Sequence, residues 1–252
     1  MATLAVTVVV VGVWHKTQDY VLAIIDCSHL VWSGLKGMPL WKMSSQPEFN
    51  PEHLNEDVVR MRTLWVNELH APEILQYSDE MVSEMLEQIR NQQEYVDSMN
   101  EDRDQLTEQK CLVNKLYQME IDRLRYMVSS YLRTRLRKIE KFAFHLLEDD
   151  ELMQRLSVKE RSFAQQFMML YESHVNDLAL SKLDEESRSL SAEGMVLKPN
   201  LDGFVFCQGK DAGGVQCDDK GASFVQVASS DRYVLRYRSV QAHVESGAIE
   251  LI

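Results

Sequence analysis

The chain has 252 residues, a formal net charge of -12, and 45% hydrophobic and 26% charged residues. This composition is ordinary for a globular protein that buries a core. The negative charge excludes a protein that coats nucleic acid through its overall charge. The four cysteines, Cys27, Cys111, Cys207 and Cys217, form no close pairs. Their spacing excludes the common zinc and disulfide patterns and indicates a reducing compartment with free thiols.

Residues 2–14, ATLAVTVVVVGVW, form an almost wholly apolar run near the start of the chain. The run is shorter than the roughly 20 residues of a membrane-spanning helix, and it lacks the basic start of a signal peptide. Its valines favour a strand, and residues 21–25 favour a second strand that completes a hairpin. Residues 1–44 are assigned to an N-terminal extension. Because the composition changes at Met43, an alternative hypothesis makes Met43 the true initiator and residues 1–42 a gene-model extension outside the working protein.

Residues 45–183 are predicted to form a helical domain, and its first two helices have local start signals. Asn50-Pro51-Glu52 provides a cap, a first-turn proline and an acid, and Pro72 ends this first helix. Ser78 is predicted to cap the second helix. Polar residues 91–104 are predicted to hold the end of the second helix and a turn. The apolar face of the second helix consists of Met81, Val82, Met85, Leu86 and Ile89.

The third helix is predicted to run from about residue 105 to 147, because apolar residues recur every three or four positions without Pro or Gly. A helix of about 40 residues is ~60 Å long, too long for a compact monomer of this size. Either part of it packs on a partner, or it is kinked. A fourth helix begins at the capping-box pair Ser157 and Glu160 and ends near Lys182. The four helices are predicted to form an antiparallel bundle.

A polar, Ser- and Glu-rich linker over residues 184–196 separates this bundle from a small β-rich domain over residues 197–252. A module of about 57 residues buries little surface alone, so it is expected to dock on a partner or on the helical body. Its Gly- and Asp-rich segment Gly209–Gly221 is predicted to be a loop. The predicted strands are Gly203–Cys207, Phe224–Val227, Arg232–Arg238 and the terminal Ala248–Ile252.

Catalytic signatures are absent from the sequence: it contains no phosphate-binding loop, no GxGxxG, no HExxH and no GxSxG. We therefore predict no catalytic residue, no metal ligand and no cofactor, although missing motifs do not by themselves exclude an enzyme. The acidic run 148–151 attracts cations in principle. It lies at a joint between helices, however, where a solvated turn is the favoured interpretation.

One basic stretch, residues 118–142, stands out within the acidic chain. Its cations are Arg123, Arg125, Arg133, Arg135, Arg137, Lys138 and Lys141. The favoured interpretation pairs them with acidic faces of neighbouring helices, since residues 45–117 hold 16 acidic residues. The alternative is a direct DNA-binding module that contacts phosphates through Arg133, Arg135, Arg137 and Lys138.

Several sequence segments resemble a known family over about residues 48–252. Residues 118–133, QMEIDRLRYMVSSYLR, and 138–142, KIEKF, are similar to the central helix of the Sld-five type of GINS subunit. Three more segments agree with that family: LWVNE and APEIL at residues 64–75, KPNLDGFVF at 198–206, and SGAIELI at 246–252. Residues 1–42 have no counterpart, and the Gly-rich loop at 208–221 departs from the family pattern.

The resemblance implies a four-subunit GINS assembly of related chains, in which this type has a helical A domain followed by a small β-rich B domain. It implies that the tetramer joins the Cdc-forty-five protein and the hexameric minichromosome-maintenance motor, which hydrolyses ATP, in the replicative helicase. The chain is then a non-catalytic scaffold for the initiation and elongation of chromosomal DNA replication in the nucleus. Its partners are three other GINS subunits, it contacts DNA mainly indirectly, and it needs no membrane.

The apolar stripe of the long helix is predicted to be mostly core and, in second place, a subunit interface. An interface of an obligate subunit resembles a domain core cut in half, so both roles draw on the same residue types. The candidate interface residues are Leu124, Val128, Tyr131, Leu132, Arg133, Leu136, Ile139, Phe142, Leu251 and Ile252.

Overall fold

A computed structural model of the chain describes residues 51–101, 107–184, 196–210, 213–216 and 224–252. By its internal contacts the chain divides into two compact units, Met1–Leu54 and Asn55–Ile252, and nearly all described residues belong to the second. The predicted extension over residues 1–44, with its hairpin and the Met43 start, lies outside the described residues. So does almost all of the linker predicted over residues 184–196.

The predicted fold class is confirmed: a mainly helical bundle with a long central helix is followed by a small β-rich region. Helix α1 spans Pro51–His70 and α2 spans Asp79–Glu101, so both begin where the sequence signals predict. The turn between them contains Pro72, which cannot continue a helix because it lacks a backbone N–H. The buried face of α2 includes the predicted residues Met81, Val82, Met85 and Ile89.

Helix α2 ends at Glu101, inside the polar segment 91–104 that was predicted to hold its end, and most of this segment is helical. Side-chain hydrogen bonds tie this segment to the next helix. Gln93 Nε2 donates to Gln118 Oε1 at 3.1 Å, and Asn114 Nδ2 donates to Asn100 Oδ1 at 3.0 Å. These long-range amide pairs stabilise a helical end whose own sequence has little apolar content.

Helix α3 spans Glu108–Glu148 and has 41 residues, so it is ~60 Å long. It begins at Thr107, whose side chain accepts a hydrogen bond from the backbone N–H of Lys110 at 3.4 Å. Of the two explanations for its length, a kink is present at Phe142, where φ is -116° and ψ is 23°. The kink lies close to the C-terminal end, so residues 108–141 still form one uninterrupted helix.

A short helix, α4 (Asp150–Gln154), and then α5 (Val158–Leu178) complete the bundle, and a 3-10 turn over Leu180–Lys182 follows. The acidic run 148–151 is not simply a solvated turn, because the Asp149 side chain caps α4. The predicted capping box of α5 is confirmed: Glu160 N donates to Ser157 Oγ at 3.2 Å, and Ser157 N donates to Glu160 Oε2 at 2.9 Å.

The β-rich region contains two small antiparallel sheets. The first has the order β4-β1-β5, and the second pairs β2 with β3. The strands are β1 (Phe204–Gly209), β2 (Gly213–Gln216), β3 (Phe224–Val227), β4 (Arg232–Arg236) and β5 (Ile249–Leu251). The predicted terminal strand is therefore confirmed as β5.

Two predictions in this region are wrong. The segment Gly209–Gly221 is not wholly a loop, since it contains β2, which pairs with β3. The strand predicted over Arg232–Arg238 ends at Arg236, and helix α6 (Tyr237–Glu245) follows at once. The alternation of Tyr233, Leu235 and Tyr237 suited a strand. Tyr237, Val240 and Val244, however, share one buried helical face.

The β-rich region docks on the helical body, one of the two placements expected from its small size. Its core contains residues from the sheets and α6, and Ala71 and Leu75 from the turn after α1 pack into the same cluster. Two hydrogen bonds join α1 to β5. Asn67 Oδ1 accepts from the backbone N–H of Leu251 at 2.8 Å, and Thr63 Oγ1 donates to Glu250 Oε1 at 2.7 Å.

We expect Ser157→Ala to lower the free energy of unfolding by about 1 kcal/mol, because it removes the side-chain acceptor of the α5 cap. Ser162→Ala is the matched control, since Ser162 is an exposed serine inside the same helix, and its hydroxyl accepts from Gln166 Nε2. Chemical denaturation of both variants measures the difference. Equal losses would show that the capping box contributes nothing beyond ordinary serine removal.

Candidate functional site

The buried guanidinium of Arg135, on α3, is the centre of the most extensive polar cluster in the described residues. Its side chain has 0% exposure, and all five of its N–H groups are used. Nε and Nη2 donate to the two carboxylate oxygens of Glu160 at 2.7 and 3.0 Å. Nη1 donates to Glu68 Oε2 at 3.0 Å and to the Leu75 carbonyl at 2.7 Å. Nη2 also donates to the Arg155 carbonyl at 3.0 Å.

Lys138, one turn further along α3, binds the end of α1 and the turn that follows it. Its Nζ donates to Glu68 Oε1 at 2.8 Å, to the Glu68 carbonyl, and to the Glu73 carbonyl at 2.6 Å. One carboxylate oxygen of Glu68 thus accepts from Arg135, and the other accepts from Lys138. Burial lowers the pKa of Lys138, and the charge of Glu68 opposes part of that shift.

Arg155 and Tyr237 extend the cluster to the β-rich region. Arg155 Nη1 lies 3.1 Å from Glu73 Oε2, and its Nη2 lies 3.0 Å from Glu245 Oε1 on α6. The Tyr237 hydroxyl, also on α6, donates to Glu73 Oε1 at 2.8 Å. Glu73 therefore connects the turn after α1 with α6, which fixes the β-rich region against the helical bundle.

The interior of this cluster is balanced in charge. Its buried or half-buried cations are Arg135, Lys138 and Arg155, and its buried anions are Glu68, Glu73 and Glu160. Moving one such ion out of water costs several kcal/mol, and only close partners with complete hydrogen bonding offset that penalty. We name these six residues the buried ion network.

Two tyrosine rings, Tyr77 and Tyr131, flank the Arg135 guanidinium. Its central carbon lies 5.2 Å from the Tyr77 ring centroid and 5.7 Å from that of Tyr131, within cation–π range. Burial raises the pKa of the Tyr77 hydroxyl to about 12, and burial also raises the pKa values of Tyr131 and Tyr237. Their neutral phenol forms are thus favoured in the folded chain.

The predicted interface residues fall into two classes. Eight are buried inside this chain: Leu124, Val128, Tyr131, Leu132, Leu136, Ile139, Phe142 and Leu251. Arg133 is exposed on α3, and Ile252 at the C-terminus is 39% exposed. The buried members belong to the core of this chain, and an interface role for the set stays a prediction.

The seven cations of the basic stretch also divide by environment. Arg135, which is buried, and Lys138, which is half-buried, form ion pairs with neighbouring helices, as the favoured interpretation predicts. Arg123 and Arg125 pair with Glu120 and Asp122 on their own helix. Lys141 Nζ lies 5.1 Å from the ring centroid of Phe142. Arg133 and Arg137 are exposed, and neither forms an ion pair with a residue that the structure describes.

Three groups of exposed apolar side chains were not predicted from the sequence. They lie on the N-terminal half of α3, on α5 and on the outer face of the first sheet. On α3 they are Leu112, Leu116, Met119 and Tyr126; on α5 Met169, Leu170 and Leu178; and on the sheet Phe204, Phe206 and Val234. Two features of the sequence could have indicated these groups. Alternate residues of β1 are apolar on the outward side of the strand, and α3 has a second apolar row opposite the row that was assigned to the core.

Other kinds of site receive no support from the described ranges. Within them, no three His, Cys, Asp or Glu side chains converge where a metal ion could bind. None of the helices described is both long and apolar enough to cross a membrane. The two described cysteines, Cys111 and Cys207, are free thiols, and burial raises the pKa of Cys207.

Comparison with known families matches both parts of the chain. Residues 81–179 match the helical bundle domain of GINS complex proteins, and residues 199–252 match the C-terminus of the DNA replication complex GINS protein SLD5. The chain is similar to the DNA replication complex GINS protein SLD5 of Arabidopsis thaliana, with 37% identity over 78% of this chain and 91% of that protein. The proteins of that name from Homo sapiens and Chaetomium globosum are 30% and 32% identical, over 89% and 90% of their lengths.

We expect Arg135→Lys to lower the free energy of unfolding by about 3 kcal/mol or more, because a lysine has three donors and leaves buried acceptors unpaired. Arg133→Lys, two positions away on the exposed side of α3, should change it by less than about 0.5 kcal/mol. Chemical denaturation measures both variants. A tolerated Arg135→Lys would mean that the network does not depend on the five-donor geometry of the guanidinium.

We also expect alkaline destabilisation that depends on the buried tyrosines. The unfolded chain loses the Tyr77 proton near pH 10.0, whereas the folded chain holds it until about pH 12. The unfolded state therefore binds fewer protons in this window, so the contribution of Tyr77 is complete below pH 10.0 and is lost as the pH rises towards 12.

The measurement is the free energy of unfolding between pH 10.0 and 12, which should fall less steeply for Tyr77→Phe than for the unmodified chain. Tyr126→Phe removes an exposed phenol and is the control, with an unchanged slope expected. Identical slopes for all three proteins would contradict a Tyr77 phenol whose pKa is raised by burial beside Arg135.

Proposed function

Because the chain belongs to the Sld5 family of GINS proteins, which are DNA replication proteins, we propose that it is a non-catalytic scaffold subunit of a four-subunit GINS complex. The observation that carries this proposal is the match of both its helical and its C-terminal regions to that family, in the same chain order. Its direct partners are three other GINS subunits. The complex acts in the nucleus, in the initiation and elongation of chromosomal DNA replication.

The wider assembly is proposed on the family resemblance alone. The GINS tetramer joins the Cdc-forty-five protein and the minichromosome-maintenance hexamer, and the hexamer supplies ATP hydrolysis. In this assembly the chain positions partners and contacts DNA mainly indirectly. No step of the chemistry is assigned to its own side chains.

The internal geometry suits a scaffold because the buried ion network joins α1, α3, α5 and α6 into one folded unit. A scaffold must hold its contact surfaces in a fixed spatial relation. The buried ion network favours this, because separating a buried charge from its partners has a large free-energy cost. Of the predicted interface residues, Arg133 and Ile252 are exposed and are proposed to touch partners directly. The buried members contribute indirectly, because their packing in the core holds the long helix in position.

A direct DNA-binding role is the second candidate, and the exposed Arg133 and Arg137 are the observation in its favour. It is weaker than the scaffold role, because Arg135 and Lys138 are held in the buried ion network and do not reach a phosphate. Phosphate binding through the remaining two arginines would give a modest slope of affinity against salt concentration, near -1.8 by the rule of about -0.9 per contact.

The test is co-expression of the full chain with the three other GINS subunits of the same organism, followed by size-exclusion chromatography with light scattering. We expect a stable equimolar complex that survives moderate salt, since an obligate interface is largely apolar. Expression of the full chain without the partners is the control and should give no species at the elution position and mass of the equimolar complex. A well-behaved monomer that ignores those subunits would overturn the scaffold proposal.

A further inference from the structure

Helix α3 carries a second row of side chains on the side opposite its buried face. Members follow each other at alternating intervals of four and three residues, and all of them are exposed except the half-buried Ser130. We name this the outer row: Leu112, Leu116, Met119, Arg123, Tyr126, Ser130, Arg133 and Arg137.

The spacing of the outer row is that of a helix that packs along another helix. Alternating intervals of three and four residues give a mean period of about 3.5, which keeps one seam facing a partner helix over its whole length. The row covers about 25 residues and is therefore ~38 Å long. The kink at Phe142 lies beyond its last member, so the seam is uninterrupted.

The apolar members at the N-terminal end are much more exposed than isolated surface residues need to be. Leu112 is 61% exposed, Leu116 58% and Met119 68%, and Tyr126 follows at 62%. Leu112, Leu116 and Met119 are successive members of the row, so they form a contiguous apolar surface, which marks interaction sites in soluble proteins, and Arg123 separates them from Tyr126. Scattered single residues would not carry this meaning.

The middle of the row is already ordered by α1. The Trp65 indole N–H donates to Ser130 Oγ at 3.0 Å, and its ring packs edge-on against Tyr126 with centroids 6.2 Å apart. Trp65 therefore borders one side of the seam and holds Tyr126 in place. A surface that is ordered before binding loses less conformational entropy when a partner arrives.

The C-terminal end of the row is cationic. Arg123 is neutralised by Glu120, with Nε donating to Oε2 at 2.9 Å. Arg133 and Arg137 form no ion pair with any described residue. The charge of Arg137 acts on Glu140, one turn further along α3: burial raises the pKa of Glu140, and the charge of Arg137 opposes that shift. The row thus changes from apolar to cationic along its length.

This polarity argues against a second copy of the same chain. A parallel copy would place Arg133 against Arg133 and Arg137 against Arg137, and like charges in contact are destabilising. An antiparallel copy would place Arg137 opposite Leu112, which desolvates a cation against an apolar side chain. Neither arrangement satisfies both ends of the row.

We propose that the outer row is the docking seam for one helix of a different subunit, apolar where it faces Leu112–Met119 and acidic where it faces Arg133 and Arg137. This inference rests on the proposed function, because the helix comes from another member of the same complex. The apolar end supplies most of the affinity through burial, and the cationic end sets the direction and register of the partner helix.

The experiment is a competition inside the assembled complex. The full-length unmodified chain and a variant, each with its own tag, are co-expressed with limiting amounts of the three other subunits. The share of each form in the purified complex is measured by mass spectrometry. We expect Leu116→Glu to fall to about a tenth of the unmodified share or less, and the double variant Arg133→Glu with Arg137→Glu to fall by a similar factor.

Salt distinguishes a docking defect from a folding defect. When complexes exchange subunits at high salt, the deficit of the double arginine variant should shrink, because exposed charges are screened. The deficit of Leu116→Glu should remain. Arg90→Glu, which reverses an exposed arginine on α2, is the control and should compete equally with the unmodified chain.

Photo-crosslinking from position 119 provides a readout that does not depend on variant stability. We expect it to capture one helical segment of a single partner subunit, with acidic residues towards the end that meets Arg133. If the unmodified chain assembles but both variants compete equally, or the crosslink joins two copies of this chain, the outer-row proposal fails and the scaffold proposal stands. If the unmodified chain does not assemble at all, both proposals fail.

Discussion

The Arg135 guanidinium is buried with each of its five N–H groups bonded to an acceptor from another part of the chain. Those acceptors come from α1, from the turn after it, from the end of α4 and from the start of α5. A buried cation with missing partners is strongly unfavourable, so these segments have to reach their places together. The bundle therefore depends on one charge that is tolerable only in the complete fold, and alternative packings of the same apolar stripes are disfavoured.

The same constraint reaches the β-rich region through Glu73. Its carboxylate accepts from Arg155 and from the Tyr237 hydroxyl, and its carbonyl accepts from Lys138. A domain of this size has little core of its own. Its position is fixed instead by polar bonds to α1 and to the turn after it, together with the apolar contact of Ala71. The helical and β-rich regions are thereby held in one spatial relation.

The two sides of the long helix α3 have different roles. Its inner side contributes core residues and two cations of the buried ion network. Its outer side carries the exposed outer row, which is apolar at one end and cationic at the other. Residues that looked equivalent in the sequence, such as Arg133 and Arg135, lie on opposite sides and have unrelated roles. The stability of the folded chain and the proposed contacts with partners are consequently assigned to interleaved positions of a single helix.

By itself the sequence determined the helix starts, the length of α3, the terminal strand and the family resemblance, because caps, prolines and apolar periodicity act between near neighbours in the chain. Only the tertiary structure decided how far α2 continues into its polar segment, that Tyr237 begins a helix, and that Arg135 and Lys138 form internal ion pairs while Arg133 and Arg137 are exposed. These outcomes depend on which side of a helix meets its neighbours. The amide pairs from α3, the carboxylates of Glu68 and Glu160, and the hydroxyl contact of Tyr237 with Glu73 all come from residues distant in the chain. A local pattern cannot specify such partners, since their free energy is gained only when separate elements pack together.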